Sequence, residues 1–498
     1  MNSSKKAGAV LALALLAGGG WGCSDFLSGP GLTENPNNPL VATPIQVLIS
    51  VQSNMAVRLE GQLARCASVF TQQLIGSNNQ QLQWCTAYLV GESDISGQMS
   101  GFYTGGGLYG IRQVEAAAQT AGDNTMLGIA KILEGLMMGT ATSVWGDLPY
   151  TEALTPGIES PKLDSQQSLY AAVQSRLDEG ITALTTAAAT ATGNCSPNEG
   201  DVIYCAAAVS RATQLGRWIR AAHTLKARFH LHQVERLGAA EYTAALSEAL
   251  LGINEAPTGA TTAQQQAIHG QAPGDFRTFH GSVQDIDANI WAEFLLSRQD
   301  IVAGDKLVSI LKARNDTVRL RNYFDINSQG QFVGANQNNV TVRPAGCPAP
   351  PAACAPSVVN TLVRRQFTFR QPLITWAENQ LILAEARFAT GDSVGGVANV
   401  NAVRAAVGLP SLAAPTFVDV MTEKYIAMYQ NIEVWSDYKR TCIPQLTPNG
   451  SNLEVLGRLP YGSAERTANA NIPLPSAFPT GTTGSSPIRN WDDPNACP

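Results

Sequence analysis

Apolar side chains recur at helical spacing along most of the chain, and this pattern limits the fold to packed helices. The clearest stripe, between residues 165 and 187, consists of Leu169, Val173, Leu177, Ile181 and Leu184. A helix with one such face has to bury it against another element. Similar patterns predict helices over 43–74, 108–121, 124–145, 212–235, 240–252, 301–314, 373–389 and 417–440. We therefore predict a mainly α-helical protein.

The stretch between about 253 and 371 interrupts this pattern. Gly, Pro, Asn, Gln and Thr dominate it, and few long runs keep a helical period. Loops of this length on a rigid scaffold often carry binding residues. The helical segments form pairs along the chain, but no clean tetratricopeptide repeat or full signature is present. The sequence alone thus predicts a helical body with a long irregular insert.

The N-terminus has the features of an export signal. Two lysines precede an apolar stretch, residues 7–20, and Cys23 follows soon after. Because this stretch is shorter than the roughly 20 residues that span a bilayer, we interpret 1–22 as a signal peptide. A cysteine at the cleavage point indicates a lipoprotein signal, with Cys23 as the lipid anchor. Ordinary secretion with cleavage elsewhere is the alternative, because the residues before Gly22 fit the lipoprotein pattern poorly.

Residues 23–42 would form the lipid anchor and a tether. The segment is rich in Pro, Asn and Gly and has too little apolar content to pack by itself. Thr43 and Pro44 then supply a helix N-cap and a proline at the first helical position. No later segment approaches 18 apolar residues, so we expect contact with the membrane through the lipid anchor only. We predict a single helical domain over 43–498.

The cysteine count indicates disulfides. The chain has 9 cysteines, and setting Cys23 aside leaves Cys66, Cys85, Cys195, Cys205, Cys347, Cys354, Cys442 and Cys497. An even number in an exported chain favours disulfide pairing. Local spacing favours two pairs and elimination leaves two more: Cys195–Cys205, Cys347–Cys354, Cys66–Cys85 and Cys442–Cys497. Zinc binding is the competing interpretation, but the C-x-x-C spacing typical of zinc sites does not occur.

Charge and composition limit the classes of ligand. Charged residues make up 14% of the chain, against about 25% in typical soluble domains. The net charge of −6 argues against nucleic acid, whose phosphates require basic patches. A polar surface with few charges suits an uncharged ligand.

Three short motifs could indicate catalysis or metal binding, but their contexts argue against it. Residues 105–110 fit G-x-G-x-x-G without a preceding strand. Residues 391–395 fit G-x-S-x-G, yet they follow an amphipathic helix, which favours a loop between helices. Residues 285–289 resemble the opening of a calcium loop, but Ile290 and Leu296 replace the required Gly and Glu. This excludes an EF-hand and leaves a looser calcium site open; we expect no cofactor and no metal.

Several motifs, in the same order along the chain, resemble those of the SusD/RagB family. They are 23–27, 34–39, 145–153 (WGDLPYTEA), 225–228 (LKAR), 315–320 (NDTVRL), 378–386 (ENQLILAEA), 390–392, 403–410, 423–426 (EKYI), 435–440 (WSDYKR) and 458–465. The chain departs from the family pattern at Thr317 and Val318, where one proline is usual. The resemblance covers nearly the whole mature chain and is weakest between about 253 and 295. It implies a helical fold built on tetratricopeptide-like pairs, with the ligand site among irregular loops.

The resemblance also implies a function. Proteins of this family are lipid-anchored to the outer membrane, face the cell exterior and form a lid over a SusC-like TonB-dependent transporter. We therefore expect a substrate-binding lipoprotein, not an enzyme, that captures oligosaccharides or other nutrients and delivers them to that transporter. A surface glycan-degrading enzyme and a periplasm-facing helical scaffold that binds proteins are the alternatives.

Two irregular stretches combine aromatic and polar side chains, as a glycan site requires. The first is 77–103, and the second, 276–294, also contains His280, Asp285, Asp287 and Asn289. The candidate ligand-binding residues are Trp84, Tyr88, Tyr103, Phe276, Arg277 and Trp291, with the two tryptophans as the strongest. The alternative is that each aromatic side chain packs its own loop onto the body.

Two glutamates of the 378–386 motif are predicted to be structural. Glu378 and Glu385 lie seven residues apart and therefore share one helical face. In that position a carboxylate can pair with an arginine or cap a backbone turn.

Overall fold

Helices form most of the described part of the chain. The computed structural model describes residues 42–206, 209–258, 263–340, 355–450, 454–474, 489–495 and 497. The helices before the insert are α1 Pro44–Glu60, α2 Gln62–Phe70, α3 Glu92–Ser100, α4 Leu108–Ala121, α5 Asn124–Trp145, α6 Gln166–Ala188, α7 Arg211–Leu231, α8 Val234–Leu237 and α9 Ala239–Ala249. Those that follow are α10 Ala263–His269, α11 Ile290–Ser297, α12 Asp305–Ala313, α13 Thr317–Tyr323, α14 Trp376–Thr390, α15 Ser393–Ala406, α16 Phe417–Ala427, α17 Glu433–Thr441 and α18 Ser463–Ala468.

Within the described residues, four short strands form two antiparallel pairs. They are β1 Leu74–Gly76, β2 Phe276–Arg277, β3 Ile301–Ala303 and β4 Pro372–Ile374. Strand β1 pairs with β3, and β2 pairs with β4. Both pairs join the insert to the helical body, because one strand of each comes from the insert.

Consecutive helices pack side by side, as the tetratricopeptide-like prediction requires. Helix α5 lies against both α4 and α6, α6 also packs on α7, and α14 packs on α15. Glycines allow the close approach of α5 and α6. A Cβ atom at Gly135 would lie 2.7 Å from the Leu177 side chain, and one at Gly128 would lie 2.5 Å from Leu184. The predicted mainly α fold with helical pairs is confirmed.

Local sequence accounts for where helices begin and end. At the start of α1, the Gln46 amide donates to the Thr43 hydroxyl at 3.3 Å, and the Thr43 amide donates to the Gln46 side chain at 2.8 Å. This capping box, with Pro44 at the first position, is the predicted helix start. The chain turns at Gly61, where a Cβ would lie 2.3 Å from the Val57 carbonyl oxygen.

Some predicted boundaries are wrong. The stretch 43–74 is divided into α1 and α2 at Gly61, and its last residue, Leu74, begins strand β1. The stretch 417–440 is likewise two helices, α16 and α17. Residues 301–303 form β3 instead of a helical turn, because their backbone pairs with β1. A run of three apolar residues fits either structure until its partner is known.

Buried ion pairs join the motifs that carry the family resemblance. Arg228 donates to both carboxylate oxygens of Glu378, Nε to Oε1 at 2.6 Å and Nη2 to Oε2 at 2.8 Å. Arg440 pairs with Glu385 in the same way, with Nη2 donating to Oε2 at 2.8 Å. All four side chains are buried. The structural role predicted for the two glutamates is confirmed.

A second buried centre forms around Glu423. Arg319 Nη1 lies 2.5 Å from one of its oxygens and Arg404 Nη1 lies 3.0 Å from the other. Burial opposes ionisation of this carboxyl, but the neighbouring arginines hold its pKa below the ordinary value. Nearby, Lys424 Nζ donates to Asp437 at 2.8 Å. The motifs are therefore distant parts of the chain that neutralise one another in the core.

Three of the four predicted disulfides are confirmed: Cys66–Cys85, Cys195–Cys205 and Cys442–Cys497. Cys347 and Cys354 lie outside the described residues, and so do Cys23, the predicted signal peptide and the predicted tether up to residue 41. In the part of the chain that the structure describes, no helix is long and apolar enough to cross a membrane.

Candidate ligand-binding cleft

A cleft of about 470 Å³ opens beside helix α1. Its walls are one face of α1, the segment 202–203, and the segment 279–293, which ends in the first turn of α11 and which we name the cleft loop. The cleft loop lies within the second stretch in which the sequence predicted ligand contacts. The volume falls within the range of about 300–1,000 Å³ that is usual for ligand sites.

The wall opposite the cleft loop is held by α1 and by a disulfide. Gln52 Nε2 donates to the Gly200 carbonyl at 2.5 Å, and Gln52 Oε1 accepts from the Val202 amide at 3.1 Å. Asp201 Oδ1 accepts the Ile203 amide at 2.9 Å. The Cys195–Cys205 bridge closes this segment on itself. Val202 and Ile203 therefore keep a fixed position against α1.

The cleft loop is built from its own polar residues. Asp287 accepts the Gly281 amide through its carbonyl and the Val283 amide through its side chain, each at 2.9 Å. Asn289 Oδ1 accepts the Ala292 amide at 2.9 Å and so caps α11. These bonds close the loop into a compact turn between β2 and α11.

A buried ion pair attaches the cleft loop to α1. His280 Nε2 lies 2.8 Å from Glu60 Oε2, and both side chains are buried. Burial would lower the pKa of His280, but the Glu60 carboxylate raises it above its ordinary value. This shift favours the charged form of the ring, and a charged donor strengthens the bond to the carboxylate.

The cleft loop turns apolar side chains toward solvent. Phe279 is 48% exposed and Ile286 is 81% exposed, and both line the cleft. Ser53 and Glu293 provide polar groups on the same walls. An exposed ring beside hydroxyl and carboxylate groups can stack on the C–H face of a sugar and orient its hydroxyls.

Three of the predicted ligand residues are packed in the core. Trp291 and Phe276 are 0% exposed and Tyr88 is 4% exposed. The Phe276 ring lies edge-on to Trp218 at 5.2 Å, and Tyr88 lies edge-on to Phe70 at 5.8 Å. These rings have no free face for a ligand in this conformation. These three side chains fit the alternative interpretation, in which each aromatic side chain packs its own loop onto the body.

The other three predicted ligand residues are half-buried and lie outside the lining of the cleft. Trp84 and Tyr103 pack against the main core, and the Tyr103 hydroxyl donates to the Pro149 carbonyl at 3.0 Å. Arg277 Nη1 donates to Gln271 Oε1 at 2.8 Å. The structure therefore does not bring the six residues together into one site.

The calcium-like segment 285–289 is engaged in loop structure. Asp287 and Asn289 accept backbone amides, and the Asp285 amide donates to Glu293. Among the described residues, no group of three or more His, Cys, Asp or Glu side chains could hold a metal ion.

The sequence prediction missed Phe279, although an extended chain alternates sides with a period of two residues. Phe276, Thr278 and His280 are buried, whereas Phe279 is exposed. Once the segment after β2 is known to be extended and Thr278 to be buried, Phe279 is the aromatic residue expected to face outward.

Comparisons with known proteins agree with the family resemblance of the sequence motifs. A model of the SusD-like family, described as starch-binding and associating with the outer membrane, matches residues 36–462. A SusD/RagB family structure from Bacteroides thetaiotaomicron has 19% identity and a TM-score of 0.64, and covers 91% of this chain and 99% of its own. A chitin-binding SusD homolog from Flavobacterium johnsoniae has 18% identity and a TM-score of 0.67, and covers 91% of this chain and 98% of its own. No curated protein matches the chain.

Proposed function

The chain belongs to the SusD-like family of starch-binding proteins that associate with the outer membrane, and from this premise we propose that it is a surface-exposed binding lipoprotein. It captures nutrients, with oligosaccharides as the expected class, and delivers them to a SusC-like TonB-dependent transporter. A structural neighbour is named for chitin binding and the family model for starch binding. Both names support a glycan as the ligand.

We assign ligand binding to the cleft beside α1. The observation that carries this assignment is Phe279, an aromatic side chain that is 48% exposed on the wall of the cleft. Together with the exposed Ile286 it forms an apolar surface inside the cleft, which the C–H face of a sugar can cover. The Glu60–His280 pair and the bonds of Asp287 hold the ring in place before binding, which reduces the entropy that a ligand must overcome.

The test is Phe279→Ala, measured by calorimetry against starch and chitin oligosaccharides. We expect affinity to fall about tenfold or more, as is typical when a stacking platform of roughly 1.4 kcal/mol is lost. The matched control is Tyr109→Ala, because Tyr109 is 50% exposed and lies outside the cleft. Equal affinities for the two variants would refute the assignment of the cleft.

Association with the transporter rests on the family and on the predicted anchor at Cys23. A tether of residues 23–42 raises the effective concentration of the two partners, so that a modest interface stays occupied. Gentle detergent extraction and pull-down should recover a barrel protein together with this chain. Recovery of the chain alone, under conditions that preserve other outer-membrane complexes, would contradict the proposal.

The location outside the cell and the absence of catalysis are tested separately. On intact cells, added protease should digest this chain, whereas a periplasm-facing scaffold would be protected. Purified protein incubated with the oligosaccharides that it binds should release no shorter sugars. Release of such products would favour the alternative of a surface enzyme.

A further inference from the structure

A second cavity, of about 310 Å³, lies at the β1–β3 strand pair. None of the described residues lines both this cavity and the cleft beside α1. Its described lining consists of Gln72, Ile75, Asp305, Lys306, Ala335, Asn336, Gln337, Asn338, Thr447 and Asn449. We name it the amide cavity, because five of these ten side chains are carboxamides.

The lining of the amide cavity is polar and balanced in charge. Each carboxamide offers both donors and acceptors, and Thr447 adds a hydroxyl. Asp305 and Lys306 contribute opposite charges that cancel. None of the described lining residues is aromatic. These groups suit a small neutral ligand that carries several hydroxyls, and they give no preference to an anion or a cation.

Several of these polar groups are available to a ligand. Gln72 Nε2 donates to the Thr447 carbonyl at 2.6 Å, and this bond leaves the Gln72 Oε1 atom available as an acceptor. The side chains of Lys306, Gln337 and Asn338 form no hydrogen bond or ion pair with any other described residue. Unpaired donors and acceptors that converge on one cavity can replace the water around a sugar.

The backbone around the amide cavity is fixed. The Asp305 amide donates to the Ala335 carbonyl, and the Ala335 amide donates to the Ala303 carbonyl, both at 2.8 Å. A Cβ atom at Gly334 would lie 2.4 Å from the Asp305 Cα, so the turn packs closely on the start of α12. On the opposite wall, the Asn449 amide lies 3.5 Å from the Tyr88 hydroxyl.

We propose that the amide cavity is a second subsite that binds one neutral sugar residue by hydrogen bonds alone. This inference rests on the proposed function. The volume, at the lower end of the range for ligand sites, accommodates about one sugar ring. Because no ring stacks on the sugar, affinity at this subsite alone is in the millimolar range. Simultaneous occupation of the cleft and the amide cavity would strengthen the capture of branched or long glycans.

The test measures monosaccharide binding by saturation-transfer NMR, with N-acetylglucosamine and glucose as probes. All proteins carry Phe279→Ala, which removes stacking in the cleft. We expect this background to retain millimolar binding, and the added pair Gln337→Ala and Asn338→Ala to weaken it about tenfold through lost hydrogen bonds. The matched control adds Gln329→Ala and Gln331→Ala, two exposed amides outside the cavity, and should bind as the background does.

The outcomes separate this inference from the proposed function. Unchanged monosaccharide binding after loss of Gln337 and Asn338, or no monosaccharide binding in the Phe279→Ala background, overturns the amide cavity as a subsite. Oligosaccharide binding by the unmodified protein would still support the proposed function in either case. Failure of the unmodified protein to bind any glycan overturns both. Equal melting temperatures show that the variants fold alike.

Discussion

Replacement of Arg228 by methionine tests whether the family motifs act through buried ion pairs. The substitution removes two hydrogen bonds to Glu378, at 2.6 and 2.8 Å, and one to the Leu373 carbonyl at 2.8 Å. Glu378 is 0% exposed and stays in the core without its main partner. Loss of one member of a buried pair costs about 3–5 kcal/mol. We expect the free energy of unfolding at neutral pH to fall by that amount.

The cost should also depend on pH, and the sign follows from Glu378. Burial raises the pKa of this carboxyl above its ordinary value even though Arg228 opposes the shift. Without Arg228 the folded-state pKa rises further. When a carboxyl has a higher pKa in the folded state than in the unfolded state, the protein becomes less stable as the pH rises above the unfolded-state pKa, about 4.3. Arg228→Met should therefore be more destabilising at pH 8 than at pH 5.

Urea unfolding of three variants measures these effects. Glu378→Gln, which leaves Arg228 near Glu433, should cost about 1–3 kcal/mol. Because the two residues are coupled, the double variant should cost less than the sum of the two single variants, by roughly 1–3 kcal/mol. The control Arg321→Met changes an exposed arginine without an ion pair among the described residues and should stay within about 0.5 kcal/mol of the unmodified protein. A cost for Arg228→Met no larger than this control, or equal costs at both pH values, would refute the reasoning.

Three further predictions concern other parts of the protein. The pKa of Glu423 is held below its ordinary value by the surrounding arginines despite burial. The contribution of Glu423 to stability is therefore complete above about pH 4.3 and is lost as the pH falls further. Thermal melts of Glu423→Gln should show a weaker acid dependence than those of the unmodified protein. The Cys442–Cys497 bridge closes a separation of 55 residues, so Ser at both positions should cost about 2–4 kcal/mol in urea melts, and reductant should have no further effect at this site. The pKa of His280 is raised by Glu60 against the effect of burial. The ion pair that attaches the cleft loop is therefore complete below about pH 6.5 and weakens as the pH rises through the raised pKa. Glycan affinity should fall at alkaline pH, and it should fall less in His280→Gln.

Long periodic segments were predictable from sequence because their information is local. The segment 124–145 corresponds to α5, Asn124–Trp145, and 108–121 corresponds to α4, Leu108–Ala121. Their apolar stripes lie within the segments, and the residues that end α4 and begin α5, Gly122 and Asp123, lie directly between them. Strand β3 was not predictable in this way, because Ile301–Ala303 becomes a strand only through its pairing with Leu74–Gly76.

The candidate site was predictable only as a region. The sequence indicated the stretch that contains the cleft loop, but it could not show that Trp291 faces the core and Phe279 faces solvent. The direction of a side chain in an irregular segment depends on distant contacts, such as that of His280 with Glu60, 220 residues away. A single sequence contains no direct record of such contacts.

The position of the motifs in the structure determines what the family resemblance can say about the ligand. The motifs pair across the core, as Arg228 does with Glu378, 150 residues away, so their presence reports the fold. The cleft and the amide cavity are lined by residues outside these motifs. Neighbours with TM-scores of 0.64 and 0.67 share only 19% and 18% of their residues with this chain. The same core can therefore present different loops, and the glycan preference has to be measured at residues such as Phe279 and Gln337 instead of being inferred from the family name.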